Sequence, residues 1–438
     1  MRDILVTFLI FAWLPFVLAR PWLGVILLAV LDYLNPHRYA WGFAREMPFY
    51  FIVAIVTTAA VFLTKDRWRI PRTRETYLLI TLLALFTVTT IFAFYPPLAW
   101  DQWLKVVKVI YPIFLTLVLI NSREKLSYLV LAIALSFGLI GLKGGIWWLS
   151  SGGGHRVYGP DGTLYGDNNH IGLALNMTLP FIVAAIRQAD RTFLRTFLKV
   201  CFGFTLVGII GTYSRGAFVT LGVVLFLLLI TSRHKILAAL MLVVGLAFIT
   251  DYIPEMWFSR MESIQEYEQD KAAMGRIRAW EDGVAIANDR PLIGGGFGAF
   301  RYAYTGSHSG YIGILGEHGY VTLAVWLSLL FGTMWALGRL RRQAAGAPEL
   351  AWVQDYARMF QVSLVAYAVG GAFLNVGYWG FFYHLVGMTA ILKVLARQGA
   401  VVQEVPHWAV AGRPGTVAPE GLGVLGPASP PLPDRPRA

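Results

Sequence analysis

Two arginines and one histidine are the side chains in this sequence best suited to chemistry. Arg215 lies in a tight Ser–Arg–Gly corner between two apolar segments, Arg276 lies in a long polar loop, and His308 lies at the exit of that loop. A guanidinium can donate hydrogen bonds to two phosphate oxygens at once. A helix that begins after the corner at Arg215 would also favour a phosphate group at its N-terminus. A neutral imidazole can accept a proton from a hydroxyl group near neutral pH. These residue types suit a phosphate-bearing substrate and a hydroxyl nucleophile.

Each of the three residues also has an interpretation without a chemical role, and the residue types alone do not exclude it. Arg215 could extend its side chain to lipid headgroups. Arg276 could lie on an amphipathic helix that rests on the membrane surface. His308 could be incidental, because a lone histidine at a membrane interface often has no chemical role.

The long loop predicts a short amphipathic helix over residues 275–288, where apolar side chains recur at helical spacing. On such a helix Arg276 and Trp280 share a face because they are one turn apart, whereas Arg278 points to another face. Trp280 and Arg278 are therefore secondary candidates. A glycine-rich stretch over 294–298 follows and is expected to turn the chain back toward the membrane.

Glu317 and Lys105 complete the candidate set. Glu317 lies beside His318 within an apolar segment. An ionisable group inside the membrane is a candidate functional residue because its burial there is costly. Lys105 and Lys108 are one turn apart near an outer helix start, where they could touch lipid phosphate or simply anchor the helix. The remaining histidines and carboxylates show no metal-binding spacing, so neither a metal nor another cofactor is expected.

The elements that carry these residues are predicted to be membrane-spanning helices. Hydrophobic residues make up 57% of the 438-residue chain, charged residues 14%, and the mean hydropathy is +0.58. Continuous apolar segments of about twenty residues are typical of spanning helices and exclude an outer-membrane barrel. The apolar segments fall at 4–19, 22–34, 48–64, 76–94, 106–121, 126–149, 168–186, 193–213, 216–231, 235–252, 309–338, 358–374 and 376–396.

These segments predict an all-α polytopic protein with 12 or 13 transmembrane helices. The first two segments are separated only by Arg20–Pro21, and we interpret them as one broken helix that is retained rather than cleaved as a signal peptide. That interpretation favours 12 spans, puts both termini in the cytoplasm and keeps every strongly basic loop on the inner side.

The net charge of +12 follows the loops. Basic loops alternate with loops almost free of Lys and Arg, which is the positive-inside pattern and makes the basic loops cytoplasmic. The charge therefore reports topology, and nucleic-acid binding is not expected. On the outer side, the loop over 253–308 holds eight of the chain's 25 carboxylates, and the Pro/Gly-rich residues 398–438 are expected to form a disordered cytoplasmic tail.

Several motifs in a fixed order resemble the core of the O-antigen ligase and polymerase superfamily over roughly residues 200–380. The motifs are Thr212–Tyr–Ser214–Arg215–Gly216, Arg276–x–x–x–Trp280, Pro291–Leu–Ile–Gly294–Gly–Gly296–x–Gly–x–Phe300 and His308–Ser–x–Tyr311–x–x–x–Leu315–x–Glu317–x–Gly319. The N-terminal part, with Arg20–Pro21–Trp–Leu–Gly24, Asn35–Pro36–His37–Arg38 and Asp167–Asn168–Asn169, resembles the probable O-glycosylation ligases associated with the exosortase A system. The sequence departs from the family pattern at Ser309 and at Gly310, where relatives often carry a larger apolar residue.

The resemblance implies a GT-C-like glycosyltransferase with one long periplasmic loop in the bacterial inner membrane. Its active site would face the periplasm and move a glycan from undecaprenyl diphosphate to an acceptor protein or lipid, without a metal. Arg215 and Arg276 would hold the diphosphate, and His308 would accept the proton of the attacking hydroxyl. The implied division is an N-terminal region over 1–190, a ligase-like core over 191–397 and the tail.

Two other functions compete with a ligase. A polysaccharide polymerase would use the same two arginines and histidine but another lipid-linked repeat unit as acceptor. A transporter or flippase of an anionic substrate is a different class, and against it the candidate residues cluster at one face while no internal repeat is visible.

Overall fold

The computed structural model describes residues 1–67, 69–232, 235–236, 271–302 and 306–404, and within these ranges it contains helices and no strand. The α-helices are α1 (Arg2–Ala19), α2 (Trp22–Tyr33), α3 (Phe49–Leu63), α4 (Arg74–Ile91), α5 (Pro96–Leu119), α6 (Arg123–Ser150), α7 (Asn168–Gln188), α8 (Thr192–Ile210), α9 (Arg215–Ile230), α10 (Lys271–Asp289), α11 (Gly310–Gln343), α12 (Ala351–Gly371) and α13 (Gly380–Glu404).

Seven of the described helices, α1, α4, α5, α6, α7, α8 and α11, are long and apolar enough to cross a membrane, and α2, α3 and α9 are shorter apolar helices. The chain is therefore a polytopic helical membrane protein. The span predicted at 235–252 and the loop residues 253–270 lie almost wholly outside the described residues. The same holds for the tail beyond Glu404, so its disorder stays a prediction.

Ion pairs join the helix ends that carry the basic loops. The Lys125 ammonium lies 2.7 Å from Asp66, and the Arg187 guanidinium lies 2.8 Å from Asp355. These contacts gather the loops around 65–74, 121–125 and 187–199 at one end of the bundle, here called the basic end. The loop over 151–167 and the corner before α9 meet at the opposite end, where the Tyr213 hydroxyl donates to the Gly153 carbonyl.

The first two helices form an antiparallel hairpin, so their interpretation as one broken helix is wrong. The Asp3 carboxylate accepts hydrogen bonds from the backbone N–H groups of Gly42 (2.9 Å) and Ala44 (3.1 Å), which follow α2. A single helix would separate residues 3 and 33 by about 45 Å. Arg20 has a non-helical backbone (φ −137°, ψ 83°) and is followed by Pro21, which lets the chain reverse.

Small residues allow the helices behind the candidate site to pack closely. A side chain on Gly141 would clash with Thr205, because a Cβ there would lie 2.3 Å from the threonine hydroxyl oxygen, and one on Gly172 would lie 2.7 Å from the Ala217 Cβ. Asn176, fully buried in α7, donates to the Ala217 carbonyl at 3.0 Å. This contact ties α7 to the first turn of α9, where Arg215 lies.

Candidate functional site

Side chains from distant segments hold the corner before α9. Tyr213 has a left-handed backbone (φ 56°), and its hydroxyl donates to the Gly153 carbonyl in the loop after α6. The buried Asn168 side chain donates to the Thr212 carbonyl at 2.8 Å. The corner is thereby joined both to the loop over 151–167 and to the start of α7.

The corner presents Arg215 in the first turn of α9. Ser214 caps the helix because its hydroxyl accepts from the Ala217 N–H at 3.2 Å. Arg215 is half-buried. A Cβ built on Gly216 would lie 3.5 Å from the Phe373 Cβ, so the start of α9 touches the segment between α12 and α13.

Helix α10 confirms the amphipathic helix that periodicity predicts within the long loop. Arg276 is half-buried and Arg278 is exposed, which matches their predicted faces. The indole N–H of Trp280 donates to the Ser307 carbonyl at 3.0 Å. Trp280 thus joins the helix that carries Arg276 to the residue directly before His308.

His308 occupies a left-handed backbone conformation (φ 48°), which is uncommon for a residue with a side chain. The Ser307 hydroxyl donates to the Ser309 carbonyl at 2.8 Å and closes the turn around the histidine. Helix α11 begins directly after this turn, at Gly310. His308 is therefore fixed by its neighbours in a half-buried position at a helix start.

Arg276 lies close enough to His308 to affect the protonation of its imidazole. Burial lowers the pKa of His308 below its ordinary 6.5, and the positive charge of Arg276 lowers it further. Both effects disfavour the imidazolium. The imidazole is consequently neutral at neutral pH, which is the form that can accept a proton.

The segment over 371–377 brings the His308 turn and the Arg215 corner to the same end of the bundle. A Cβ on Gly310 would lie 3.3 Å from the Gly377 nitrogen and 3.5 Å from the Gly371 carbonyl oxygen. The departure from the family pattern at Gly310 therefore has a steric reason, since a larger side chain would meet backbone. Phe373, in the same segment, touches the start of α9.

Glu317 lies behind this turn in a buried polar network, here called the Glu317 network. Its carboxylate accepts hydrogen bonds from the Tyr378 hydroxyl and, at 2.8 Å, from the Gly298 N–H. His318 Nε2 lies 2.7 Å from the Tyr378 hydroxyl, and its Nδ1 lies 2.6 Å from the Thr89 hydroxyl. The network ties α4, the glycine-rich loop, α11 and the segment before α13 together, which points to a positioning role for Glu317.

The glycine-rich loop lies against a break in α11. Gly319 interrupts the helix with φ 76°, and this frees the Gly316 and Glu317 carbonyls to accept from the N–H groups of Gly295 (2.9 Å) and Gly296 (2.7 Å). Gly294, Gly296 and Gly298 all have positive φ, which confirms the predicted reversal of the chain. Sequence analysis did not identify Tyr378 as a site residue. Tyr378 lies 61 residues from Glu317 and belongs to no local motif, so no sequence pattern indicated the contact.

The remaining candidates lie apart from this arrangement. Lys105 is on an exposed face of α5, nine residues after the helix begins at Pro96. Within the described ranges, no group of three His, Cys, Asp or Glu side chains could hold a metal ion. The absence of a metal and the roles of the individual site residues stay predictions.

Two family models match the chain. Residues 200–327 match the model described as O-antigen ligase, and residues 1–187 match a family of unknown function, DUF5935. No curated protein matches the chain. The first match supports an assignment to the O-antigen ligase superfamily and indicates a glycosyl-transferring, ligase-like function. It contains Arg215, Arg276, His308 and Glu317.

Proposed function

We propose that this protein transfers a glycan from undecaprenyl diphosphate to a hydroxyl acceptor at the end of the bundle opposite the basic loops. The observation that carries the proposal is the closeness of a diphosphate-binding residue type to a neutral base. The Arg276 charge lowers the pKa of His308, and both residues lie within the segment that matches the O-antigen ligase model.

His308 accepts the proton of the acceptor hydroxyl, whose oxygen then attacks the anomeric carbon of the glycan. As the new glycosidic bond forms, the bond between that carbon and the diphosphate oxygen breaks. Undecaprenyl diphosphate leaves with the bonding electron pair, and Arg215 and Arg276 stabilise its negative charge. Direct displacement inverts the configuration at the anomeric carbon. Two guanidiniums serve here in place of a divalent metal ion.

Two of the secondary candidates, Trp280 and Glu317, hold the elements around these three residues in place. Trp280 keeps α10 against the His308 turn through its bond to the Ser307 carbonyl, and Glu317 keeps the glycine-rich loop against the break in α11. Both are positioning residues in this proposal. The exposed side chains of Arg278 and Lys105 have no part in it.

The cellular setting follows from the same proposal. The protein would be a GT-C-like enzyme of the bacterial inner membrane with its site in the periplasm, because an undecaprenyl-linked glycan and its acceptor meet there. The resemblance of the N-terminal part to exosortase-associated ligases favours a hydroxyl group on an exported protein as acceptor.

A strain lacking the protein and complemented with variants tests the proposal. His308→Ala and Arg276→Ala should each accumulate undecaprenyl-diphosphate-linked glycan and lose the mature conjugate. Arg278→Ala is the matched control, since it removes a guanidinium from the exposed face of the same helix, and it should retain conjugate. Membrane levels of each variant are measured alongside.

Three results would change the conclusion. Chains shortened to single repeat units in His308→Ala would identify a polymerase. Unchanged lipid-linked and conjugate pools in both variants would remove the enzymatic role and favour transport. An inactive Arg278→Ala beside an active Arg276→Ala would show that the wrong arginine was assigned.

A further inference from the structure

A groove between α3 and α5 lies outside the proposed transfer site. It has a volume of about 930 Å³ and is lined almost entirely by apolar side chains of the two helices. A hydrogen bond between the Thr58 and Tyr111 hydroxyls (2.6 Å) joins the helices along it. The groove opens on a face with exposed apolar side chains, so hydrocarbon would fill it in a membrane.

The groove has the chemistry and length of a lipid chain site. Phe51 is 59% exposed and Phe62 is 75% exposed, as expected of side chains that face hydrocarbon. Its wall runs along α3 from Pro48 to Phe62, a rise of about 21 Å, which is comparable with the roughly 15 Å hydrocarbon depth of one leaflet. Pro48 marks the end near Asp3 and Gly42, opposite the basic end.

A cation lies in this otherwise apolar wall. Lys108 lines the groove one turn before Tyr111, and among the described residues its ammonium has no ion-pair or hydrogen-bond partner. An ammonium beside hydrocarbon is costly unless it reaches water or an anion. A lipid phosphate beside Lys108 would supply that anion.

A carboxylate lies next to the same wall. A small cavity of about 10 Å³, room for one water molecule, is lined by Asp32 and shares Tyr50 and Pro112 with the groove. A Cβ on Gly380 would lie 3.3 Å from an Asp32 carboxylate oxygen and 3.4 Å from Val109, the neighbour of Lys108. Within the part of the chain that the structure describes, the Asp32 carboxylate accepts no hydrogen bond and pairs with no cation.

We propose that the groove binds a phospholipid whose headgroup carries a phosphate and a primary ammonium, as in phosphatidylethanolamine. The phosphate pairs with Lys108, the ammonium reaches Asp32, and an acyl chain fills the groove. A polyprenyl diphosphate fits less well, because its additional negative charge would meet the Asp32 carboxylate. The site is thus separate from the donor site and is tested by binding alone.

Native mass spectrometry of the full-length protein tests this site. Purified protein is incubated with equimolar dioleoyl-phosphatidylethanolamine, dioleoyl-phosphatidylglycerol and undecaprenyl diphosphate, and the lipids retained after detergent removal are counted. Wild type should retain phosphatidylethanolamine preferentially, and Lys108→Met should reduce that retention about tenfold. Lys105→Met is the matched control, because it removes an exposed lysine one turn earlier that does not line the groove.

A second variant separates the two headgroup contacts. Asp32→Asn keeps the shape of the side chain and removes its charge, so it should abolish the preference for phosphatidylethanolamine over phosphatidylglycerol. Equal retention of the two phospholipids by wild type, or an equal loss in Lys105→Met and Lys108→Met, would reduce the groove to a surface for bulk lipid and overturn the proposal. Preferential retention of undecaprenyl diphosphate would overturn it too and assign the groove to the donor lipid.

Discussion

The backbone of His308 adopts a strained conformation that contacts of its neighbouring residues hold in place. A non-glycine residue with φ 48° is strained by about 1–3 kcal/mol. The bond from Trp280 to the Ser307 carbonyl and the bond from the Ser307 hydroxyl to the Ser309 carbonyl hold the residues on either side. Such strain persists where surrounding contacts over-determine the backbone. Here the strained residue is the one whose imidazole lies near Arg276.

Glycine at this position should separate strain from chemistry. His308→Gly and His308→Ala should both lose transfer, because neither variant has a base. His308→Gly should nevertheless be more stable than His308→Ala by about 1 kcal/mol, since glycine adopts positive φ without a Cβ penalty. Thermal unfolding of the two variants in the same detergent measures the difference. A less stable glycine variant would show that the turn is not strained.

The charge of Arg276 should determine the pH at which activity is lost on the acid side of the pH profile. Because this charge lowers the pKa of His308, Arg276→Gln should raise that pKa toward its ordinary 6.5. A neutral base is lost as pH falls through its pKa, so the acid limb of the residual kcat/KM should move to higher pH in the variant. The rate of imidazole modification by diethyl pyrocarbonate should shift in the same direction. An unmoved limb in both measurements would mean that the two residues are not coupled.

At the scale of elements, the sequence predicted the features that local spacing controls. The helix over 275–288 follows from apolar residues at helical intervals, and the reversal at 294–298 follows from glycines that accept positive φ. The partners of Glu317 could not be predicted, because Tyr378 and Thr89 come from elements far away in the chain. Periodicity also showed an unbroken apolar segment over 309–338, whereas Gly319 interrupts the helix there.

The Glu317 network should contribute to stability more than to chemistry. Tyr378→Phe removes the hydroxyl that joins Glu317 to His318 and leaves buried polar atoms without that partner. The expected loss is about 1–3 kcal/mol of unfolding free energy. Tyr320→Phe is the control, because it removes a hydroxyl that bonds to Asn288 at an exposed position and should cost less.

Chemical denaturation of both tyrosine variants, with conjugate formation assayed in parallel, checks this expectation. Tyr378→Phe should still transfer glycan at a reduced rate, because His308 and both arginines remain. Complete loss of transfer in a folded Tyr378→Phe protein would give the hydroxyl a direct role in the reaction. Equal stability of the two variants would contradict the importance of the buried network.

For the whole molecule, the described basic loops lie together at one end, as the alternation of basic and nonbasic loops predicts. Lys125 meets Asp66 at the basic end, whereas the loop with Gly153 meets the Tyr213 corner at the other. The same pattern failed at the N-terminus, where Arg2 and Arg20 give no clear asymmetry. A proline after Arg20 is compatible with a kink or with a reversal, and the contact that decides between them joins Asp3 to residues about forty positions away.

The hairpin of α1 and α2 predicts that residue 2 and residue 20 lie on opposite sides of the membrane. The test uses single cysteines at Arg2, Arg20, Asp161 and Asp190 in a Cys201→Ser background. This background removes the native thiol, which is buried. Asp161 reports the end opposite the basic loops, because it pairs with Arg45 just after the residues that bind Asp3. Asp190 reports the basic end, because it follows Arg187.

An impermeant thiol reagent applied to intact spheroplasts should distinguish the two arrangements. Because a charged reagent cannot cross the bilayer, Arg2→Cys should react together with Asp161→Cys, while Arg20→Cys and Asp190→Cys should react only after permeabilisation. If Arg2→Cys instead follows Asp190→Cys, residues 2–33 cross the membrane once. The N-terminus would then lie on the basic side, and the Asp3 contact with Gly42 and Ala44 could not form in the membrane.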